Sequence, residues 1–360
     1  MPIEDYFTEV THRDWETESV EGTVNIAIIG VGGFARNRAI PAISKSEYGR
    51  TTVLVTSSPE TLAETEAAAD VDHCIDYDAF LQGECRDAYD AVYISTPNAL
   101  HGTYAAAAAS MGAHVICEKP LETTPDRARE IIDACAAADV TLMTAYRLQL
   151  EPIVRRTRTL LNEGVLGEIV AVHGSFSNPL LEEADPDTWR LDPDLAGGGV
   201  LVDLGIYPIN TIRFLLECEP TGVYAHTRTE SGDSPFGDVD RDVSLHLRLP
   251  GGGSALCTAS YVGHAGSQLR LVGTDGSVTI SSPFGGVVPH DILLETGDLS
   301  MEYTGEPVDE VREEFDYFCY CILTGTTPEP DGEDGVADLE IIEAAYESAR
   351  DVCVVPLGED

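Results

Sequence analysis

Val24-Asn-Ile-Ala-Ile-Ile-Gly-Val-Gly-Gly-Phe-Ala35 decides the fold. Five of its first six residues are apolar and four are β-branched, the mark of a buried strand, and Gly30 ends the run. The next six match G-x-G-x-x-A, directly after a strand and before a helix. Gly30 permits the tight turn, Gly32 lets a pyrophosphate approach the backbone, and Ala35 lets helix and strand pack closely. Gly33 and Phe34 complete the turn, and the helix N-terminus offers free N–H groups and a positive dipole to phosphates. The stretch predicts a dinucleotide-binding loop.

Downstream, Thr52–Thr56, Ala91–Ser95, His114–Cys117 and Thr141–Thr144 read as strands, alternating with helices Pro59–Ala69, His101–Met111 and Pro125–Ala138. Such alternation builds parallel βαβ units. The pattern changes after residue 148. A helix, Pro152–Asn162, precedes strand-like runs at Ile169–Ser175, Val223–Arg228, Val243–Leu249, Ala255–Tyr261, Gln268–Val272 and Ser277–Ser281. Short links such as Pro250-Gly-Gly-Gly253 favour antiparallel neighbours. Two helices, Val308–Leu323 and Val336–Cys353, close the chain. The expected fold is α/β: an N-terminal Rossmann domain plus a C-terminal α/β domain with a large, mostly antiparallel open sheet. Residues 1–22 form an acidic extension, 23–148 the first domain and 149–360 the second, with the C-terminal helices able to pack back on the first.

Sixty-three acidic residues face 21 basic ones, a formal net charge of −42. Nucleic acid and anionic membrane surfaces are repelled by such a chain. The acids are spread throughout, so the expectation is a folded protein with a carboxylate-coated surface, suited to a salt-rich cytoplasm. No apolar run suggests a membrane span, and the acidic Met1–Glu21 suggests neither a secretory signal nor a transit peptide. The nine cysteines show no paired framework; Cys319 and Cys321 alone are close, so reduced thiols and no metal site are expected.

The end of the second strand bears on cofactor choice. An NAD site usually places an acid there for the ribose 2′-OH; here Val53-Leu-Val-Thr-Ser-Ser58 has none. Ser57 and Ser58 can receive a 2′-phosphate, and Arg36 or Arg38 can neutralise it, so NADP is favoured over NAD. Thr96, Pro97, Asn98 and His101 follow a strand at the sheet's carboxyl edge and are assigned to the cofactor. Glu118-Lys119-Pro120 ends the next strand. A lysine there is open to desolvation, which favours its neutral amine, and can stabilise charge on a substrate oxygen. Only two of the 21 basic residues are lysine, Lys45 and Lys119, so its retention singles Lys119 out. On a helix from Val200 to Leu216, Asp203 and Tyr207 stand at i and i+4, with Asn210 nearly on the same face. Carboxylate, phenol and amide so aligned suit a hydroxyl-rich ligand.

Together Gly30–Ala35, Thr96-Pro-Asn98, Glu118-Lys-Pro120, Tyr146-Arg-Leu-Gln149 and Gly199…Asp203…Tyr207 resemble the glucose–fructose oxidoreductase/inositol dehydrogenase (Gfo/Idh/MocA) family, from Val24 to the C-terminal helix. The resemblance implies Lys119, Asp203 and Tyr207 as the catalytic group, and Glu118 near the nicotinamide. It implies a homo-oligomer formed through the C-terminal sheet. Many members carry His where this chain has Tyr207, which makes inositol a poorer substrate. With its acidic, lysine-poor composition the chain most resembles a halophilic archaeal branch of the family, and the resemblance implies oxidation of an aldopentose, D-xylose favoured, at C1 to its lactone with NADP. Tyr146, Arg147, Trp189, Arg190 and Asn210 are the substrate-pocket candidates. Dehydrogenation of glucose or of a trans-dihydrodiol is the neighbouring alternative, and an NADP-binding sensor on the same fold the non-enzymatic one.

Overall fold

The computed structural model describes residues 7, 10–57, 71–286, 288 and 290–358. Ser58 and the expected helix Pro59–Ala69 lie outside them. The chain forms two compact units: Arg13–Arg147 with Asp309–Ala337, and Met1–His12 with Leu148–Val308 and Asp338–Asp360. Residues 309–337, expected within the second domain, thus belong to the compact body of the nucleotide-binding half.

That half is built on a six-stranded sheet of order β3-β2-β1-β4-β5-β6. Its strands are β1 (Val24–Ile29), β2 (Gly49–Val55), β3 (His73–Ile75), β4 (Ala91–Ile94), β5 (His114–Glu118) and β6 (Leu142–Ala145). All pairs are parallel. The centre is apolar throughout: Ile26, Ile28, Val53, Val92, Ile94 and Ile116 are fully buried, as a sheet covered on both faces requires. The strand order reverses between β1 and β4, the switch point at which such sheets hold ligands beyond the strands' carboxyl ends. Strand β3, only three residues long, was not foreseen. Helix Glu310–Thr324 packs in this unit and takes part of the N-terminal segment: Arg13 reaches Glu313 at 2.7 Å, and Trp15 lies edge-on to Tyr317 and Tyr320.

The second unit carries a nine-stranded sheet of order β14-β13-β12-β11-β7-β10-β9-β8-β15. These are β7 (Ile169–Ser177), β8 (Gly222–Arg228), β9 (Asp242–Arg248), β10 (Ser254–Ser260), β11 (Gly266–Gly273), β12 (Gly276–Ser281), β13 (Asp291–Thr296), β14 (Leu299–Thr304) and β15 (Val355–Pro356). Every pairing is antiparallel except β7 with β10. Strands β13 and β14 were missed from sequence; their residues carry several acids and hydroxyls, Asp291, Glu295, Ser300 and Glu302 among them. Alternation leaves one face buried and the other open, as in β9, where Val243, Leu245 and Leu247 point inward. Pro193–Leu216 is long and apolar enough for a membrane span, but 83% of its most apolar window is buried within the unit.

Candidate active site

The glycine turn has the shape its sequence predicts. Gly30 sits at φ +94°, and a Cβ there would stand 2.6 Å from the Ser95 carbonyl oxygen. The carboxyl ends of β1 and β4 therefore meet backbone to backbone, which only glycine allows. At Gly32 and Gly33 nothing lies within 4 Å of where a Cβ would be, so the approach to the backbone is open. Ala35 is fully buried. Thr96 Oγ1 is buried without a hydrogen-bond partner among the described residues. An open glycine cradle beside an unsatisfied hydroxyl fits a dinucleotide's phosphates. The following helix opens as a π turn, Ala35–Ala39, before its α turn Ile40–Ile43.

Lys119 follows β5 directly, on the same sheet edge, and its peptide bond to Pro120 is cis. Glu118 accepts a 2.6 Å hydrogen bond from the Tyr93 hydroxyl. Protein packed around the Glu118 carboxyl pushes its pKa up, opposed by the Tyr93 hydrogen bond and the Lys119 charge. In register, Glu118 pairs with Ala145, which sets Tyr146, buried just after β6, at this edge too. Ser57 is exposed at the end of β2.

Three assignments change in this unit. His101 is fully buried, its ring nitrogens 3.0 Å from the Thr96 carbonyl and 3.1 Å from the Pro120 carbonyl. It ties the Thr96 loop to the Lys119 turn and has no surface to offer a ligand. Arg38 is drawn 3.3 Å from Glu310, on the N-terminal turn of helix Glu310–Thr324, which takes it away from a 2′-phosphate, while Arg36 is exposed. Arg147, expected in the substrate pocket, is buried and paired with the same Glu310. A guanidinium removed from water in this way needs its carboxylate, and a sugar cannot replace it.

In the second unit the helix expected from Val200 opens as a π turn, Leu201–Gly205, and becomes α-helical at Ile206–Leu216. Asp203 lies in the π turn, a geometry frequent at functional sites, so it and Tyr207 are not the α-helical i, i+4 pair expected. The Asp203 carboxylate accepts a 3.1 Å hydrogen bond from the Tyr261 hydroxyl and lies 3.3 Å from Arg190 Nε. The Arg190 guanidinium stacks 4.6 Å over the Trp189 ring. Burial, then the Asp203 charge, push the Tyr261 phenol well above its ordinary value, so it keeps its proton and donates. Tyr207 is held by Phe176, edge-on at 5.4 Å, and by Phe284 at 5.9 Å. Trp189, Arg190, Asp203 and Tyr261 thus form one cluster. Asn210 does not join it. It is buried, its amide accepting from Gln149 at 3.0 Å and donating to Asp338 at 2.9 Å. Tyr261 carried no signal in the sequence, because its partner is 58 residues away. Among the described residues no group of His, Cys, Asp or Glu is placed to hold a metal.

The description "Oxidoreductase family, NAD-binding Rossmann fold" matches residues 24–146, and "GFO/IDH/MocA C-terminal domain" matches residues 154–279. The chain is 41% identical to the D-xylose 1-dehydrogenase (NADP+) of Haloarcula marismortui, over 96% of each chain. It is 33% identical to D-xylose 1-dehydrogenase (NADP+) 2 of Haloferax volcanii, over 92% of this chain and 98% of that one. Its structure is similar to that of the aldose–aldose oxidoreductase from Caulobacter crescentus, with a TM-score of 0.87, 32% identity, and 93% and 100% of the two chains covered.

Proposed function

This chain belongs to the GFO/IDH/MocA oxidoreductase family, and on that footing we propose that it oxidises an aldopentose, D-xylose foremost, at C1 to the lactone with NADP+. The observation that carries the reading is the near full-length 41% identity to a D-xylose 1-dehydrogenase that uses NADP+. Tyr207 takes the proton of the C1 hydroxyl as hydride leaves C1, so the C1–O bond becomes the lactone carbonyl. Lys119 stabilises the charge developing on the substrate oxygen. Asp203, itself held by Arg190 and Tyr261, orients the sugar. Trp189 and Arg190 contact the sugar. When bound, the nicotinamide supplies the hydride acceptor. Gly30, Gly32, Gly33, Thr96, Pro97 and Asn98 cradle the dinucleotide, with Ser57 and Arg36 at the 2′-phosphate. A steady-state screen of pentoses and hexoses with NAD+ and NADP+ in molar KCl tests this. The highest kcat/KM is expected for D-xylose with NADP+. Preference for a hexose or a trans-dihydrodiol overturns the substrate, and NADP+ binding without turnover of any sugar marks a sensor.

We also propose self-association through the open face of the nine-stranded sheet. Across strands β8 to β13, Tyr224, His246, Leu256, His173, Arg270, Thr279 and Leu293 stand in one continuous cross-strand row. Tyr224 and Leu256 are 39% and 48% exposed there. On a chain of net charge −42, this stretch, which meets its first carboxylate only at Glu302 on β14, is a place where a second copy meets less repulsion. Light scattering on Leu256→Glu is expected to give a monomer beside an oligomeric wild type; equal masses refute the interface.

A further inference from the structure

The segment carrying Asp203 and Tyr207 has no local cap. Val200, at its N-cap, offers no side-chain hydrogen bond, so the first N–H groups need partners from elsewhere. Asp240 supplies them from 41 residues away along the chain. Its Oδ1 accepts from the Gly199 N–H at 2.9 Å, its Oδ2 from the Leu201 N–H at 2.8 Å, and its backbone carbonyl from the Val200 N–H at 2.8 Å. Tyr346, on helix Gly332–Asp351, donates its hydroxyl to Asp240 Oδ1 at 2.6 Å and accepts from the Gly199 N–H at 3.2 Å. Asp240 is only 4% exposed. Burial, then the Asp240 charge, push the Tyr346 phenol well above its ordinary value, so the donated proton stays in place.

The glycines in front of the segment fit this arrangement. A Cβ on Gly199 would stand 2.7 Å from the Asp240 backbone nitrogen and 2.8 Å from its Oδ1. One on Gly198 would press on the Tyr346 hydroxyl and stand 2.7 Å from Val202 Cγ2. A three-atom grip on consecutive N–H groups fixes both the height and the rotation of the π turn that follows. Asp203 comes two residues after the last gripped N–H and Tyr207 six.

We infer that Asp240 and Tyr346 form a buried lock that positions the Asp203 and Tyr207 segment for sugar oxidation. They are positioning residues, and the inference rests on the proposed roles of Asp203 and Tyr207. Asp240→Asn keeps the volume but turns an amide N–H toward a backbone N–H. Tyr346→Phe removes one hydroxyl and leaves the packing. Each is measured in molar KCl beside Tyr207→Phe, recording kcat, KM for D-xylose, the NADP+ dissociation constant and the pH profile of kcat/KM. A displacement of about 1 Å at a reacting group costs about 100-fold in rate. The expected result is a kcat about 100-fold lower for Asp240→Asn and about 10-fold lower for Tyr346→Phe, on the same 1 Å scale of misplacement. NADP+ affinity stays unchanged, and the pH profile moves because the base is displaced. Should Asp240→Asn fail to fold, Tyr346→Phe decides by the same measurements. Wild-type kcat and pH profile in the folded variants, with Tyr207→Phe inactive, overturn the lock alone. An active Tyr207→Phe overturns the catalytic reading beneath it.

Discussion

Gly30→Ala and Gly32→Ala differ by one methyl group at two positions two residues apart, and the structure gives them opposite consequences. At Gly30 the methyl meets two penalties. The backbone is left-handed, at φ +94°, which costs a residue with a Cβ about 1–2 kcal/mol. The Cβ also stands 2.6 Å from the Ser95 carbonyl oxygen and 2.8 Å from its carbon, backbone atoms that cannot swing aside. Overpacking of that kind costs about 1–3 kcal/mol. The sum, about 2–5 kcal/mol, lowers Tm by about 4–20 °C in a unit of this size. At Gly32 the Cβ meets nothing within 4 Å and φ is not left-handed, so Tm stays within a degree or two of wild type. There the methyl takes the space a pyrophosphate needs, and NADP+ is expected to bind at least about tenfold more weakly, about 1.4 kcal/mol. Thermal melts in 2 M KCl and NADP+ titration by calorimetry measure both effects. Unchanged NADP+ affinity in Gly32→Ala would show that the phosphates bind elsewhere, and an unchanged Tm in Gly30→Ala would show that β1 and β4 do not meet as described.

Lys119→Ala should lower kcat by about 10²–10⁴-fold while NADP+ binding stays nearly intact; near wild-type turnover would remove Lys119 from the chemistry. Ser57→Asp should shift preference toward NAD+, since a carboxylate accepts from a 2′-OH and repels a 2′-phosphate; an unchanged ratio of kcat/KM for the two cofactors places that recognition elsewhere. With a net charge of −42, Tm should climb steeply between 0.1 and 2 M KCl, as the Debye length shrinks from about 10 Å to a few ångströms. A flat curve would remove the physical support for a salt-rich cytoplasm. Glu314 is buried with Oε1 lacking a hydrogen-bond partner among the described residues, and burial, then the Glu118 charge, push its pKa well above 4.5. Above pH 4.5 the folded state therefore holds a proton that the unfolded state has lost, and Glu314 lowers stability as pH rises from there. Glu314→Gln should stabilise the protein at pH 8 and leave it unchanged near pH 4.5; equal effects at both pH values contradict the assignment.

The nucleotide half was legible because its signals are short in range. A β-branched run, three glycines and an alanine within twelve residues specify strand, turn and helix entry through backbone sterics alone. Lys119 stood out by composition, in a chain with almost no other lysine. In the second half the inward alternation of β9 and β10 is local too, and so was the largely antiparallel sheet. Strands β13 and β14 mix acids and hydroxyls with their apolar residues, and only pairing, β13 with β12 and β14 with β13, makes them part of the sheet.

Which charges meet is decided in three dimensions. Arg38, Arg147 and Asn210 carry the right chemistry for phosphate or sugar and lie in the right motifs. Folding instead sets the two arginines against Glu310, and Asn210 between Gln149 and Asp338. The reason is desolvation: a charge or amide taken from water must find a partner wherever the chain brings one. Glu310 is 163 residues from Arg147, and Asp338 is 128 from Asn210, beyond the reach of any spacing rule. The same holds for Tyr261 with Asp203 and for Asp240 with the Gly199 turn. Sequence determined which side chains were available for chemistry; tertiary structure decided which of them are bound up in the interior and which are held in place to act.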